Sequence, residues 1–290
     1  MGALDLEGTR FFYTNPLAQT GQRSAWHSVP CRTGNIPRTL LMLPTWMYSK
    51  SADSIYVNLF AGSKIKVEGI AGTNVEMVQE TDHPWNGKIA IVVNPITSKA
   101  FSIKLRVPTR DVSTLYTASP KSDGIESVRV NGRVLRPVVA DGYATIRRTW
   151  AKGDKIEFEL PMRVQRVHAS DKIEADKDRV ALRYGPLVYN IEKVDQDIDG
   201  VLDPTAPLCT EWRGDLLGGV TVIKGAFNNG TQFTAIPNYT RFNRQPVLIP
   251  VAPPDSAARA AAAARAAAAG QPLPRPPQAQ ATSIVWIRER

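Results

Sequence analysis

The sequence between Ser54 and Leu160 is cut at short intervals by glycine, asparagine and proline, and between the cuts apolar and polar residues alternate. Alternation with a period of two is the mark of strands buried on one face. In Ser54 to Phe60, Ile55, Val57 and Leu59 alternate with Tyr56, Asn58 and Phe60. Ser63 to Ile70, Thr73 to Thr81, Lys88 to Val93 and Ala100 to Val107 continue in that style, with Gly69, Gly72, Asn86-Gly87 and Asn94-Pro95 at the turns. Trp85-Asn86-Gly87 reads as a hairpin end. Ile125 to Val130 and Arg133 to Leu135 flank Asn131-Gly132, the pair that two-residue hairpins favour. Tyr143 to Arg148 and Lys155 to Leu160 follow. Short strands with turn residues between them predict an antiparallel β-sandwich.

Pro161-Met162 opens a second unit of the same kind. Strands are predicted at Arg163 to His168, Val180 to Arg183, Leu187 to Glu192, Val220 to Lys224, Gln232 to Ile236, Pro246 to Val251 and Thr282 to Ile287. Val194 to Thr205 is read as a loop, and Cys209 and Trp212 as packing residues. Residues 253–280 form an Ala- and Pro-rich insertion: Ser256 can cap an Ala/Arg helix, Gly270 can end it, and the prolines beyond favour extended chain. The expected organisation is a first segment over 1–53, a sandwich over 54–160 and a second over 161–290.

The first segment carries the candidate chemistry. Cys31 lies in the polar loop Val29-Pro-Cys-Arg-Thr-Gly34, ahead of a helix predicted over Ile36 to Tyr48. Asn35 can cap it, and Pro37 falls where the first turn tolerates a missing N–H. Ile36, Leu40, Leu43 and Met47 form one apolar face, and Pro44 is expected to kink the helix. A thiol near a helix N-terminus has a lowered pKa and is a better nucleophile, though a cysteine is equally at home as a small buried hydrophobe. Arg32 beside it would also favour the thiolate. Tyr13, in a predicted strand from Arg10 to Asn15, is a candidate substrate contact or an aromatic packing under the loop. Trp26 can stack on a sugar or plug its own loop.

Several segments bear on identity when taken together. They are Phe11-Phe-Tyr-Thr-Asn-Pro-Leu17, Trp26, Cys31-x-x-Gly-Asn-Ile-Pro-Arg-Thr-Leu-Leu-Met-Leu-Pro-Thr-Trp46 and Ile55-Tyr-Val-Asn-Leu-Phe60. Further on come Thr81-Asp-His-Pro-Trp-Asn-Gly87, Gly142-Tyr143, Arg148-Thr-Trp-Ala-Lys-Gly-Asp154, Leu160-Pro-Met162 and Ala181-Leu-Arg-Tyr-Gly-Pro-Leu-Val-Tyr189. In content and order they resemble the β-L-arabinofuranosidase group of glycoside hydrolases, family 127 and relatives. The resemblance implies a mainly β chain: two consecutive antiparallel sandwiches preceded by a short remnant of an (α/α) barrel. It implies retaining hydrolysis of a terminal L-arabinofuranose with Cys31 as nucleophile, and Tyr13 and Trp26 near the sugar. It implies zinc, with Cys31 as one ligand. The family places a second cysteine next to the first, where this chain has Arg32, and its other ligands and acid/base lie further upstream. The chain is therefore expected to be a C-terminal portion with little zinc binding and little activity of its own. A separate chain supplying the barrel, and self-association through the apolar helix face, are the partners this reading suggests. A non-catalytic sandwich module that binds carbohydrate or docks on a barrel is the alternative.

Composition narrows the rest. The formal charge is +9, but 36 Lys and Arg are scattered among 27 Asp and Glu. No basic stripe interleaved with stacking aromatics suggests nucleic acid. No run approaches the ~20 apolar residues of a membrane span. The N-terminus shows no basic segment followed by an apolar one, so no signal peptide is read. Cys31 and Cys209 make no disulfide framework, and His27, His83 and His168 have no metal-ligand spacing. The pairs Glu157/Glu159 and Asp195/Asp197 read as solvated faces rather than as a glycosidase carboxylate pair.

Overall fold

The computed structural model describes residues 34–109, 113–244, 265 and 281–290, with the backbone alone of β1 (Phe12–Thr14) and β2 (Ser24–Ala25). Helix α1 spans Asn35–Met47. The first group of strands is β3 (Tyr48–Lys50), β4 (Ser54–Val57), β5 (Ser63–Ile70), β6 (Thr73–Thr81), β7 (Lys88–Pro95) and β8 (Lys99–Arg106). Next come β9 (Tyr116–Ser119), β10 (Ser127–Val130), β11 (Arg133–Leu135), β12 (Val138–Ala140), β13 (Tyr143–Trp150) and β14 (Asp154–Glu159). The last group is β15 (Val164–Ala169), β16 (Arg179–Tyr184), β17 (Leu187–Glu192), β18 (Val201–Leu202), β19 (Cys209–Arg213), β20 (Val220–Ala226), β21 (Gln232–Pro237), β22 (Ser283–Ile284) and β23 (Trp286–Glu289). The protein is mainly β, in two consecutive sandwich-like units.

The first unit packs a six-stranded sheet, β11-β10-β14-β7-β6-β5, on a five-stranded sheet, β12-β13-β8-β4-β3. Period-two alternation puts one face of each strand into a shared core. Met77, Ile91, Val130, Ile156 and Phe158 enter it from the larger sheet, and Ile55, Phe101, Leu105, Ile146 and Trp150 from the smaller. Cross-strand register aligns these side chains in rows, Val128 beside Phe158 and Phe158 beside Ile89, then Val130 beside Ile156 and Ile156 beside Ile91. Such pairs are the unit of sheet stability. Asn131 and Gly132 both have positive φ, as their two-residue turn requires. Ala71-Gly72 and Asp141-Gly142 repeat that turn.

Among the described residues strand pairing is antiparallel apart from β4 with β8 and β18 with β23, which are parallel. A parallel neighbour needs a crossover, and β5, β6 and β7 supply it by visiting the opposite sheet between β4 and β8. The second unit is one ten-stranded sheet that folds over its own core. Strand β17 pairs with β16 through Val188 and then with β21 from Tyr189 onward. The core between the two halves holds Val180, Leu182, Tyr189, Ile191, Ile223 and Phe233.

Two local expectations fail, and one strand that joins the units has no counterpart in the sequence reading. Val194 to Thr205 is not wholly loop, because β18 pairs with the C-terminal strand β23. Asn94-Pro95 lies inside β7, where Pro95 stands opposite Val75 at the strand end. Strand β9 was not read at all: it leaves the first unit and pairs with β15 in the second sheet, Arg166 opposite Ser119 and His168 opposite Thr117. Its sequence, Tyr-Thr-Ala-Ser, is too short to show a period. The strand predicted at Pro246 to Val251 lies outside the described residues, as does the insertion at 253–280 apart from Arg265.

Buried polar groups in the second unit converge at one point. Glu192, with no exposed side-chain surface, accepts from the Phe242 N–H at 2.6 Å and from Arg244 at 2.8 Å. Arg244 also reaches Asp195 at 2.5 Å. This network ties β17 to the segment after β21, and the shared protons offset the desolvation of the carboxylate.

Candidate functional site

Of the residues singled out for chemistry, Cys31, Arg32 and Trp26 lie outside the described residues, and so does His27. Tyr13 is on β1, of which only the backbone is described. What the structure does place is the helix that follows the Cys31 loop. Its N-cap is Gly34, with no side-chain capping bond. Asn35 was expected to cap; instead it stands in the first turn, and its Oδ1 accepts from Arg38 at 3.0 Å. Pro37 falls in that same first turn and Pro44 in the last.

The apolar face also differs from expectation. Met47 is buried and its carbonyl accepts from the N–H of Asn58 at 2.8 Å, so this end of the helix is anchored on the first sandwich. The residues left in water are Leu41, Met42 and Trp46, exposed by 79%, 43% and 48%. Leu43 is exposed as well, while Ile36 and Leu40 are half-buried. Among the described residues, little but β3 and the Asn58 segment touches this helix.

A second feature was missed by sequence reasoning. The Asp82–Gly87 loop between β6 and β7 meets the β19–β20 turn where the two units join. The loop is braced from within: the Trp85 N–H donates to the Asp82 carbonyl at 2.7 Å, and the Lys88 N–H to Asn86 Oδ1 at 2.9 Å. Gly87 is needed for close packing, because a Cβ there would come within 2.1 Å of the Leu160 carbonyl oxygen. Trp85 packs on Val220, Val222 and Ile236 of the second unit. Trp212 meets Trp85 edge to face, with ring centroids 5.7 Å apart at 61°. Trp212 thus packs as expected, but on one side only, and the packing role expected of Cys209 fails. Trp212 is 56% exposed and Cys209 is exposed, because β19 is an edge strand whose residues face water. The signal available in the sequence is Trp85 within Asp82-x-x-Trp-Asn-Gly87, a segment that reads as a hairpin end and as part of the family resemblance but not as a contact between the units.

The adjoining charges are ordinary surface pairs. Arg213 binds Asp215 through two hydrogen bonds at 2.8 and 2.7 Å, and this guanidinium holds the Asp215 carboxyl down at about 2. Glu157 pairs with Lys155 at 2.7 Å on the sheet surface, and Asp197 accepts from the Asp199 N–H, so neither carboxylate pair forms a catalytic couple. His168 lies 2.5 Å from Glu289, whose other oxygen takes Arg166. Among the described residues no three His, Cys, Asp or Glu side chains gather where they could hold a metal. The described residues thus do not make a zinc site.

Comparison with known proteins gives the arrangement its class and then its family. Residues 54–162 match the GH127 middle domain of β-L-arabinofuranosidases, and residues 164–251 match the glycoside hydrolase family 127 C-terminal domain. The paired sandwiches are therefore of the class of β domains found in glycoside hydrolases. The chain belongs to glycoside hydrolase family 127 and carries its middle and C-terminal domains. It is 25% identical over 249 residues to a non-reducing end β-L-arabinofuranosidase of Bifidobacterium longum subsp. longum, covering 77% of this chain and 35% of that protein. Its fold is similar to that of a GH127 β-L-arabinofuranosidase from Geobacillus stearothermophilus T6, with TM-score 0.74 and 27% identity over 100% of this chain and 44% of that one. It is also similar to a second GH127 β-arabinofuranosidase structure, with TM-score 0.77 and 26% identity over 100% of this chain and 43% of that one. The chain thus spans less than half the length of each of these relatives.

Proposed function

We propose that the protein serves a glycoside hydrolase of the β-L-arabinofuranosidase type, acting on L-arabinofuranose-containing glycans. The observation that carries this reading is the match of both sandwiches, in order, to the two family 127 β domains. The names of the relatives support the sugar. Cys31 is the proposed nucleophile of a retaining reaction. Its thiolate attacks the anomeric carbon, the glycosidic oxygen leaves with a proton from a general acid, and water then releases the sugar from the sulfur. Tyr13 and Trp26 are the proposed substrate contacts.

The chain by itself is proposed to turn over slowly or not at all and to hold zinc weakly. A catalytic zinc takes three protein ligands, and Arg32, standing beside Cys31, has no lone pair to donate while protonated. A nucleophile without its acid forgoes the ~10²–10⁴-fold that proton transfer contributes. The test is turnover of an aryl β-L-arabinofuranoside by the purified chain and by Cys31→Ser, with zinc measured in both. Near-background rates in both proteins and substoichiometric zinc are expected. Brisk turnover with one zinc per chain, lost in the serine variant, would show that the chain builds a complete site.

A further inference from the structure

We propose that the groove at the junction of the two sandwiches is an oligosaccharide subsite, with the open face of Trp212 as its platform. The ligand class, a neutral glycan containing L-arabinofuranose, rests on the function proposed above.

The joint between the units is already sealed by Trp85, which covers Val220, Val222 and Ile236. Trp212 adds a second large ring outside that seal and leaves more than half of its surface in water. Its position is fixed from below. A Cβ on Gly219 would stand 2.9 Å from its Cζ2, and one on Gly214 would stand 3.4 Å from its Nε1, so the indole lies against glycine backbone. Trp85 holds it from the side at 5.7 Å. A ring so braced loses little freedom when a ligand settles on it. Its electron-rich face suits the C–H bonds of a sugar ring.

Polar groups that suit hydroxyls line the same space. Asp82, Asn86 and Thr221 border, with the two tryptophans, a cavity of about 460 Å³. That volume falls within the ~300–1,000 Å³ of typical ligand sites. Asp82 and Asn86 also border a second cavity of about 520 Å³, which runs over the outer face of the six-stranded sheet past Lys88, Arg129 and Glu157. The two cavities therefore share a wall at Asp82 and Asn86. An aromatic shelf followed by a carboxylate, an amide and a charged trough is the chemistry of an extended, hydroxylated chain. An apolar peptide would leave these groups without partners. The cavity beside Tyr116 and Trp286 makes the contrast, since Ala118, Val167, Ala181, Leu182, Val188 and Val285 give it a mostly apolar wall.

The experiment is calorimetric titration of the full chain with a short L-arabinofuranose oligosaccharide, and with a xylo-oligosaccharide of equal length. Saturable binding of the first is expected, weakened at least tenfold in Trp212→Ala and clearly reduced in Asp82→Asn. Trp212→Phe should recover part of the loss, and all three variants should melt close to the parent. Absence of saturable binding, or binding unchanged in both Trp212→Ala and Asp82→Asn, overturns the subsite. Trp212-dependent binding of the xylo-oligosaccharide alone overturns the assigned sugar. Turnover of a single-sugar aryl glycoside is read separately. Failed hydrolysis with Trp212-dependent binding intact would sink the proposed function and leave the subsite standing.

Discussion

Asp154 offers the sharpest check on how the first sandwich is held together. Its Oδ1 accepts from the Asn131 amide at 2.7 Å, and its Oδ2 from the Ala151 N–H at 2.9 Å. Asn131 in turn accepts from the Lys155 N–H at 2.8 Å, so one buried carboxylate clamps the β10–β11 turn to the β13–β14 turn. Arg148 stands at 3.7 Å and is partly exposed. Hydrogen bonds to an ionised acceptor contribute about 1.5–3 kcal/mol each, and the Arg148 pair adds under ~1 kcal/mol. Asp154→Ala leaves both donors unmatched in a site with 10% side-chain exposure; a loss of about 3 kcal/mol is expected. For a protein of this size each kcal/mol moves the melting temperature by roughly 2–4 °C, so the drop should be about 6–12 °C. Asp154→Asn keeps one acceptor and turns an amide N–H₂ toward a donor, and should lose about half as much. Burial alone would raise the carboxyl's pKa, but the Ala151 N–H, the Asn131 amide and Arg148 outweigh it and hold it below the usual value. The stabilisation is therefore complete above the unfolded pKa of about 3.9 and fades as pH falls through the lower folded one. Calorimetric melts of parent and both variants at pH 7 and near pH 3 provide the assay. A loss under ~1 kcal/mol for Asp154→Ala at pH 7, or a gap that widens in acid, would refute the argument.

Three further outcomes are expected. Trp150 is fully buried and donates from Nε1 to the Phe101 carbonyl at 3.0 Å, so Trp150→Phe should cost about 2 kcal/mol in urea unfolding; a neutral result would mean that the carbonyl finds another donor. Glu192→Ala should cost about 3 kcal/mol, at the low end for a broken buried ion pair because Arg244 keeps Asp195, and a smaller loss would show that water enters the space. Leu41→Glu should leave the unfolding free energy within ~0.5 kcal/mol of the parent while reducing self-association in light scattering, since Leu41 is 79% exposed; unchanged association would remove the helix as the contact.

Much of the fold was legible because alternation is a local signal. Ser63–Ile70, Thr73–Thr81, Arg133–Leu135 and Leu187–Glu192 lie where the pattern puts them. What escaped was of two kinds. Strands of two to four residues, such as β9 and β18, are too short to display a period, and their partners are set by distant chain. Exposure on an edge strand was the other: nothing in Cys-Thr-Glu-Trp-Arg announces that β19 has water on its outer side. For the same reason the Trp85–Trp212 contact could not be read, because 127 residues of chain separate two rings that only the meeting of the sandwiches brings together. The Cys31 loop was read from its resemblance, and the helix Asn35–Met47 behind it was read from its own periodicity.

The path of β9 bears on how such a protein can be made and inherited. A ribosome delivers Tyr116–Ser119 well before β15, their partner, has been synthesised, while β10 to β14 of the first sandwich emerge in between. The nascent first unit must therefore close around a segment that stays unpaired, and its backbone groups are open to any passing strand until the second unit arrives. The same lacing limits genetic shuffling. A recombination point at Pro161 would part β15 from its edge partner, leaving one product with a loose strand and the other with a bare sheet edge. The pairing of β9 with β15 thus binds the two sandwiches into one unit of inheritance in structural terms, even though each has a core of its own.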